Sequence, residues 1–350
     1  MSKISLAVKY RPQTFDDVTE QESTKIILTQ QLASNEIQHA YLFVGGAGTG
    51  KTTCARIFAQ EINKHKGQPI ELDAASHSGV DDVRDIIQQA KLKSLDSEYK
   101  VFIVDECHSL SNTAWQAFLK LLEEPPAWSI FIFCTTNPEK IPRTILSRVQ
   151  RYDFQRISQQ GIVKRLFYIL SQEYGQDASY YLQNDGALEY IAKIAEGGMR
   201  TAITYLDKVM SFGKVELQAV VKVLGVANYT TMMDLTNYMI AGDRESVISI
   251  IEDMYNDGVD LKQFIRQYIN FVLDAKKAVL IGDMKYTQLP ETQEVKEFID
   301  YYRADMELFS DDMSKLLTVL VNLNNDIKYD SSPKSLIEIC LLRFCEGDKR

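Results

Sequence analysis

The octet Gly45-Gly46-Ala47-Gly48-Thr49-Gly50-Lys51-Thr52 lies between an apolar run, Tyr41–Val44, and an amphipathic stretch that opens at Thr52. It fits G-x-x-x-x-G-K-[ST], a pattern that works only where a strand runs into a helix. Glycines let the backbone curl until consecutive N–H groups face inward toward phosphate, and the helix that follows adds its positive end. Lys51 is then expected to reach the β- and γ-phosphates of a nucleotide, and the Thr52 hydroxyl to ligate Mg²⁺. The competing reading is a glycine-rich turn with no ligand, and the strand-to-helix context argues against it.

From that junction the first 155 residues can be laid out. Short apolar runs at Ala40–Val44, Ile70–Asp73, Val101–Asp105, Ile130–Cys134 and Tyr152–Phe154 alternate with amphipathic stretches such as Thr52–Ile62 and Thr113–Leu122. Buried apolar strands interleaved with helices give an α/β class: a P-loop domain over residues 1–155 with a parallel, doubly wound sheet. After Phe154 the strand signal stops. Residues 156–225 read as a small helical domain, with Gly197-Gly198 as a break between helices. A second all-helical domain, 226–350, has expected helix starts at Asp243, Asp260, Ser310 and Ser332-Pro333, the last pairing an N-cap residue with proline at the first helical position. At 350 residues and 45% hydrophobic composition, each of these domains can bury its own core.

A second motif fits the first. Lys100-Val101-Phe102-Ile103-Val104-Asp105-Glu106 is an apolar strand ending in two carboxylates, which brings Asp105 to the carboxyl edge of the sheet beside the phosphate loop. Asp105 is expected to hold Mg²⁺ through its water shell. Glu106 is placed to polarise an attacking water as general base, the group that separates a hydrolysing site from one that only holds nucleotide. A third apolar strand, Ile130–Cys134, ends in Thr135-Thr136-Asn137, where a polar side chain could sense the γ-phosphate from between the two motifs. A strand terminated by a turn-forming Asn-Pro accounts for Asn137 almost as well. Arg148 and Arg200 are each either a solvated surface charge or a cation for a transferring phosphoryl group.

In this order the motifs resemble AAA+ ATPases, and among those the clamp loaders. Lys9-Tyr10-Arg11-Pro12-Gln13-Thr14-Phe15-Asp16-Asp17-Val18 is similar to the family's opening signature, which packs against adenine. His39-Ala40-Tyr41-Leu42-Phe43, Leu72-Asp73-Ala74-Ala75-Ser76 and Leu119-Lys120-Leu121-Leu122-Glu123-Glu124-Pro125-Pro126 resemble the gamma/tau subunits of bacterial DNA polymerase III. The resemblance implies that Ala7, Arg11, Pro12 and Val18 hold the base of ATP, that Thr53 joins the phosphate loop, and that Thr136 is the strand sensor. It also implies that Arg200 senses nucleotide from a helical lid. Ile145-Leu146-Ser147-Arg148 is similar to a Ser-Arg-Cys motif whose arginine enters the neighbouring subunit's site. The likeness is dense over about residues 5–210 and thin beyond, where only Ser332-Pro333 to Leu342 looks like the last helix of a collar.

The resemblance carries further expectations. The partners would be a sliding clamp, primer-template DNA and other clamp-loader subunits, in a pentameric assembly with further copies of this chain within a DNA polymerase III-like holoenzyme. Ser76, Ser78 and Gly79 would meet template phosphates. The four-cysteine zinc module of the bacterial subunits is replaced by Ile62-Asn63-Lys64-His65-Lys66-Gly67-Gln68-Pro69, so no zinc is expected. Two smaller departures stand out: Glu20 occupies a position that is usually glycine, and Val149 follows Arg148 in place of cysteine. With the chain ending at residue 350, the polymerase- and helicase-binding tail of a tau form is not expected.

Charge and cysteine usage set limits on all of this. The net charge of −9 is uneven: residues 226–350 hold 14 basic and 22 acidic side chains. A DNA contact therefore belongs to the first two thirds and must rely on local geometry. Five scattered cysteines without a C-x-x-C pair read as buried hydrophobes in a reducing compartment. With no signal-peptide-length or membrane-spanning apolar run, a cytoplasmic location and no membrane partner are expected. The leading function is a clamp-loader ATPase. The alternatives are an AAA+ helicase or branch-migration motor that translocates on DNA, and a non-catalytic scaffold, which the full set of motifs disfavours.

Overall fold

The central strands of this chain are continuous apolar runs, buried along nearly their whole length. In the computed structural model, which describes residues 4–77, 79–175, 182, 185–224, 229–327 and 332–346, five strands form one sheet: β1 Ala40–Gly45, β2 Ile70–Asp73, β3 Lys100–Asp105, β4 Ser129–Thr135 and β5 Gln150–Phe154. Their order is β2-β3-β4-β1-β5, and every pairing is parallel. Leu42, Phe102, Val104, Phe131 and Phe133 pack on one face against Val83, Ile86, Trp115 and Phe118. Tyr41, Phe43, Ile103, Ile132 and Cys134 pack on the other against Cys54, Ile57 and Phe58. Successive strand residues thus serve opposite faces, and helices cover both, which is why the central strands carry no polar alternation.

The chain divides into two compact units, one of residues 1–178 and 191–207, the other of residues 179–190 and 208–350. The first unit holds the sheet and the helices Lys51–Ile62, Val80–Ala90, Asn112–Glu123 and Gln159–Tyr174. The second is helical, with one core built from Leu235, Ile251, Ile265, Tyr268, Val272, Leu316 and Leu320 among others. Its helices include Tyr229–Ala241, Arg244–Asn256, Leu261–Ile281, Gln293–Arg303, Met306–Asp326 and Pro333–Cys345. Asp243 and Asp260 cap two of them, their carboxylates accepting from Ser246 N and from Lys262 N and Gln263 N. Ser332 occupies the N-cap position before Pro333.

One helix start is corrected. Ser310 is not an N-cap: the helix runs Met306–Asp326 with Asp305 at the cap position, and the Ser310 carbonyl accepts the Ser314 hydroxyl within the helix. Asp305 with Glu307 in the first turn is as good a start signal as Ser310. No described helix is long and apolar enough to cross a membrane.

Candidate functional site

The order of the sheet assembles the site. β4 lies between β1 and β3, with Val44 level with Thr135 and Val104 level with Phe133. The phosphate loop after β1, the carboxylates after β3 and the polar end of β4 therefore meet at one edge. Lys51 opens the helix Lys51–Ile62 and is itself buried, its Nζ donating to the carbonyls of Gly45 and Gly46 at 2.9 and 2.8 Å. Burial lowers its pKa, and the acidic groups around it, Cys134, Glu106 and Asp105, oppose that shift. Thr49 Oγ1 donates to the Gly46 carbonyl at 2.9 Å and staples the loop.

Thr52 Oγ1 donates to Asp105 Oδ2 at 2.7 Å, and the other Asp105 oxygen accepts the Glu106 amide at 2.9 Å. A hydroxyl and a carboxylate side by side are hard oxygen donors of the kind Mg²⁺ takes. Among the described residues no three His, Cys, Asp or Glu side chains gather into a metal site. Glu106 has a φ of +46°, in the left-handed region, and its Oε2 accepts Thr136 Oγ1 at 3.3 Å. Of the two candidate sensors, Thr136 is the one whose side chain touches the carboxylate. Asn137 instead donates its amide to Thr135 Oγ1 at 3.0 Å.

A cleft of about 300 Å³ opens over the phosphate loop, at the small end of the ~300–1,000 Å³ typical of ligand pockets. Ala7, Arg11, Pro12, Val18, residues 47–53, Asp105, Glu106 and Arg200 all line it. The helix Met199–Phe212 is tied to the loop by a bond from Met199 N to the Gly48 carbonyl, 3.0 Å. Gly48 has a φ of +73°, and a Cβ there would come within 3.2 Å of Gly198 Cα and 3.3 Å of Arg200 N. Only glycine permits both the turn and the close approach.

Ile157 and Arg165 line the cleft although neither lies in a sequence motif, and Tyr10, within the opening signature, lines it as well. Arg165 donates to the Tyr10 carbonyl at 2.8 Å and lies over the Tyr168 ring, 5.1 Å from its centroid. Burial, reinforced by the Glu173 carboxylate that accepts its hydroxyl, pushes the Tyr10 phenol up to about 12. Arg56 also lines the cleft, but its guanidinium is taken by a two-pronged bond to Glu71 at 2.7 and 2.6 Å.

Arg148 is not among the cleft residues. Its guanidinium donates to the Thr144 carbonyl, the Ser147 hydroxyl and the Glu123 carboxylate, the last at 2.7 Å. Ser76 and Gly79 stand before the helix Val80–Ala90, with Gly79 at its N-cap and Asp81 and Asp82 in its first turn. Ser78 lies outside the described residues.

Residues 20–79 and 68–158 match the family described as the delta subunit of DNA polymerase III, and residues 215–349 match domain III of its gamma and tau subunits. The tau subunit of Bacillus subtilis (strain 168) is 33% identical over 99% of this chain and 64% of its own length. The gamma subunit of Buchnera aphidicola subsp. Acyrthosiphon pisum is 28% identical over 97% of each chain. The chain spans less than two thirds of the tau subunits of Bacillus subtilis and Escherichia coli. Among solved structures, a variant of Thermotoga maritima RuvB aligns with a TM-score of 0.50 and 19% identity over 77% of this chain and 92% of that one, a likeness of fold.

Proposed function

From the likeness of the chain to the gamma and tau subunits of DNA polymerase III, we propose that it is an ATP-hydrolysing motor subunit that opens a sliding clamp and loads it onto primer-template DNA. The observation that carries this reading is the meeting of Lys51, Thr52, Asp105, Glu106 and Thr136 at one sheet edge, beside a cleft that Arg200 also lines.

The geometry supports a division of roles. The loop amides and Lys51 hold the β- and γ-phosphates, whose charged oxygens replace the Gly45 and Gly46 carbonyls as acceptors for the ammonium. Mg²⁺, when bound, neutralises phosphate charge; Thr52 and Asp105 are the residues that would hold it. Glu106 accepts the proton of the attacking water, and Thr136 keeps its carboxylate facing the γ-phosphate. Arg200 joins a lid formed by residues 156–225 to the phosphates, and residues 226–350 form the collar. The collar joins this chain to its companions, further copies of itself among them, in a DNA polymerase III-like assembly.

The DNA contact is built for weakness. Ser76 and Gly79 offer backbone groups at a helix start, but Asp81 and Asp82 in the first turn oppose its attraction for phosphate. Several subunits must then share the load. The direct test is ATP turnover by the chain with a sliding clamp, primed DNA and companion subunits. Stimulation by clamp together with primed DNA is the expected result, and turnover indifferent to both would overturn the reading.

A further inference from the structure

Glu106 does not stand alone at the end of β3. The tight turn Cys107–Ser109 that follows its left-handed backbone brings His108 back alongside it. His108 Nδ1 lies 3.3 Å from Glu106 Oε2 and 3.1 Å from Thr135 Oγ1. Thr136 Oγ1 donates to the same Oε2 at 3.3 Å. Thr135 is fully buried at the end of β4, and its hydroxyl accepts the Asn137 amide at 3.0 Å. Thr135, Thr136 and Asn137 therefore address one carboxylate oxygen by two routes, Thr136 directly and the other two through the imidazole.

The two tautomers of His108 present different groups to the carboxylate. A carboxylate oxygen only accepts, so a ring protonated on Nε2 alone would turn the bare Nδ1 lone pair toward Oε2 at 3.3 Å. A proton on Nδ1 can be donated to Thr135 Oγ1 and turns the positive edge of the ring toward Oε2 at 3.3 Å. The Nδ1–H form is the one that favours the Glu106 carboxylate. The imidazole is also mostly enclosed, its side chain 16% exposed, so water competes poorly for the bond.

From this arrangement the geometry points to His108 as a positioning residue for Glu106. The hydrogen bond from Thr136 and the polar contact with the imidazole both hold Oε2, which fixes the rotation of the carboxylate and leaves Oε1 to accept the proton of the attacking water. The inference rests on the reading of Glu106 as the base. It assigns a task to a residue outside the phosphate-loop and acidic-strand motifs, and it gives the polar end of β4 a second function besides sensing phosphate.

The test compares His108→Ala, His108→Asn and Glu106→Gln in the full chain, with turnover, binding of a fluorescent ATP analogue and histidine ¹⁵N NMR as readouts. Outer groups that orient a working side chain are commonly worth about 10–100-fold. His108→Ala should lose about that much kcat with nucleotide affinity and melting temperature unchanged, while His108→Asn, whose side-chain amide can stand in for Nδ1–H, should keep most of it. The His108→Ala/Glu106→Gln double variant should turn over no more slowly than Glu106→Gln alone. The NMR signals of His108 should be those of Nδ1–H and should move in Glu106→Gln. Full kcat in His108→Ala beside an inactive Glu106→Gln, or an Nε2–H tautomer, would overturn the positioning role and leave Glu106 as the base. Full activity in Glu106→Gln would remove the base, and the role of His108 with it.

Discussion

On the proposed function, Lys51 and Glu106 differ in what each would give to a bound nucleotide. Lys51 is a buried cation whose acceptors are loop carbonyls, so its removal takes away charge where the proposed phosphate would sit. Lys51→Ala should therefore abolish both tight ATP binding and hydrolysis. Glu106→Gln keeps shape and volume but cannot take a proton, so binding should persist while turnover falls roughly 10²–10⁴-fold, the usual worth of a general base. Isothermal titration beside a phosphate-release assay separates the two, and equal turnover by Glu106→Gln and the parent would remove Glu106 from the role. Both residues were legible because the motifs fix chemistry and spacing together. His108 and Arg165 were not, because their positions depend on a turn and on a distant helix that bring them back to the site. Glu20 shows what a departure from the family pattern entails. It holds a φ of +57°, where glycine is easier, and its carboxylate accepts the amide of Ser158 at 3.0 Å and the Ser158 hydroxyl, at the start of the helix Gln159–Tyr174. Glu20→Ala keeps the backbone strain and loses those bonds, so it should destabilise the chain by about 1–2 kcal/mol, read as an earlier denaturation midpoint. An unchanged midpoint would show that the bonds to Ser158 add nothing net.

At the scale of elements, the strands were easier to read than the helix ends. Each apolar run became a strand because both sheet faces are covered, and the expected bounds fall within two residues of those observed. Helix starts depend on which of several capping residues wins, and proximity in sequence does not decide it. Asp260 wins with two backbone N–H bonds at 3.0 and 3.1 Å, whereas Ser310 is overtaken by a helix that begins four residues earlier. Asp260→Ala should accordingly cost about 0.5–2 kcal/mol of stability, with Asp260→Asn costing less because its oxygen still accepts. Equilibrium urea unfolding checks this, and an alanine variant as stable as the parent would mean that packing of Leu261, Phe264 and Ile265 alone sets the helix start. Cysteine burial belongs at this scale as well. Cys54, Cys107 and Cys134 are enclosed by the helices and strands of the sheet unit, and burial pushes the Cys54 thiol up to about 12. At pH 8 only the half-buried Cys340 and Cys345 should react with a thiol reagent in the native chain, and all five after denaturation. Rapid modification of Cys54 would show that the helix Lys51–Ile62 opens readily.

For the whole molecule, the open question is where Arg148 acts. It lies outside the cleft that gathers Lys51, Glu106 and Arg200, and its present partner is the Glu123 carboxylate at 2.7 Å. Both groups are partly exposed, 33% and 50%, and ion pairs of that kind contribute only about 0–1 kcal/mol. Arg148 can therefore exchange Glu123 for a phosphate at little cost, and since it does not line its own cleft, the expectation is that this phosphate belongs to a neighbouring subunit. An arginine supplied in this way is worth roughly 10³–10⁵ in rate in well-studied phosphoryl-transfer systems. Arg148→Ala should then cripple turnover in an assembly while leaving ATP binding by the separate chain unchanged. Mixing gives the decisive readout. Arg148→Ala subunits keep an intact ATP site, and Lys51→Ala subunits keep an intact Arg148, so a mixed assembly contains interfaces at which one completes the other. Hydrolysis in the mixture should exceed the sum of the two variants measured separately. If native mass spectrometry showed the two variants co-assembled and activity still equalled that sum, Arg148 would act on its own subunit's nucleotide or not at all.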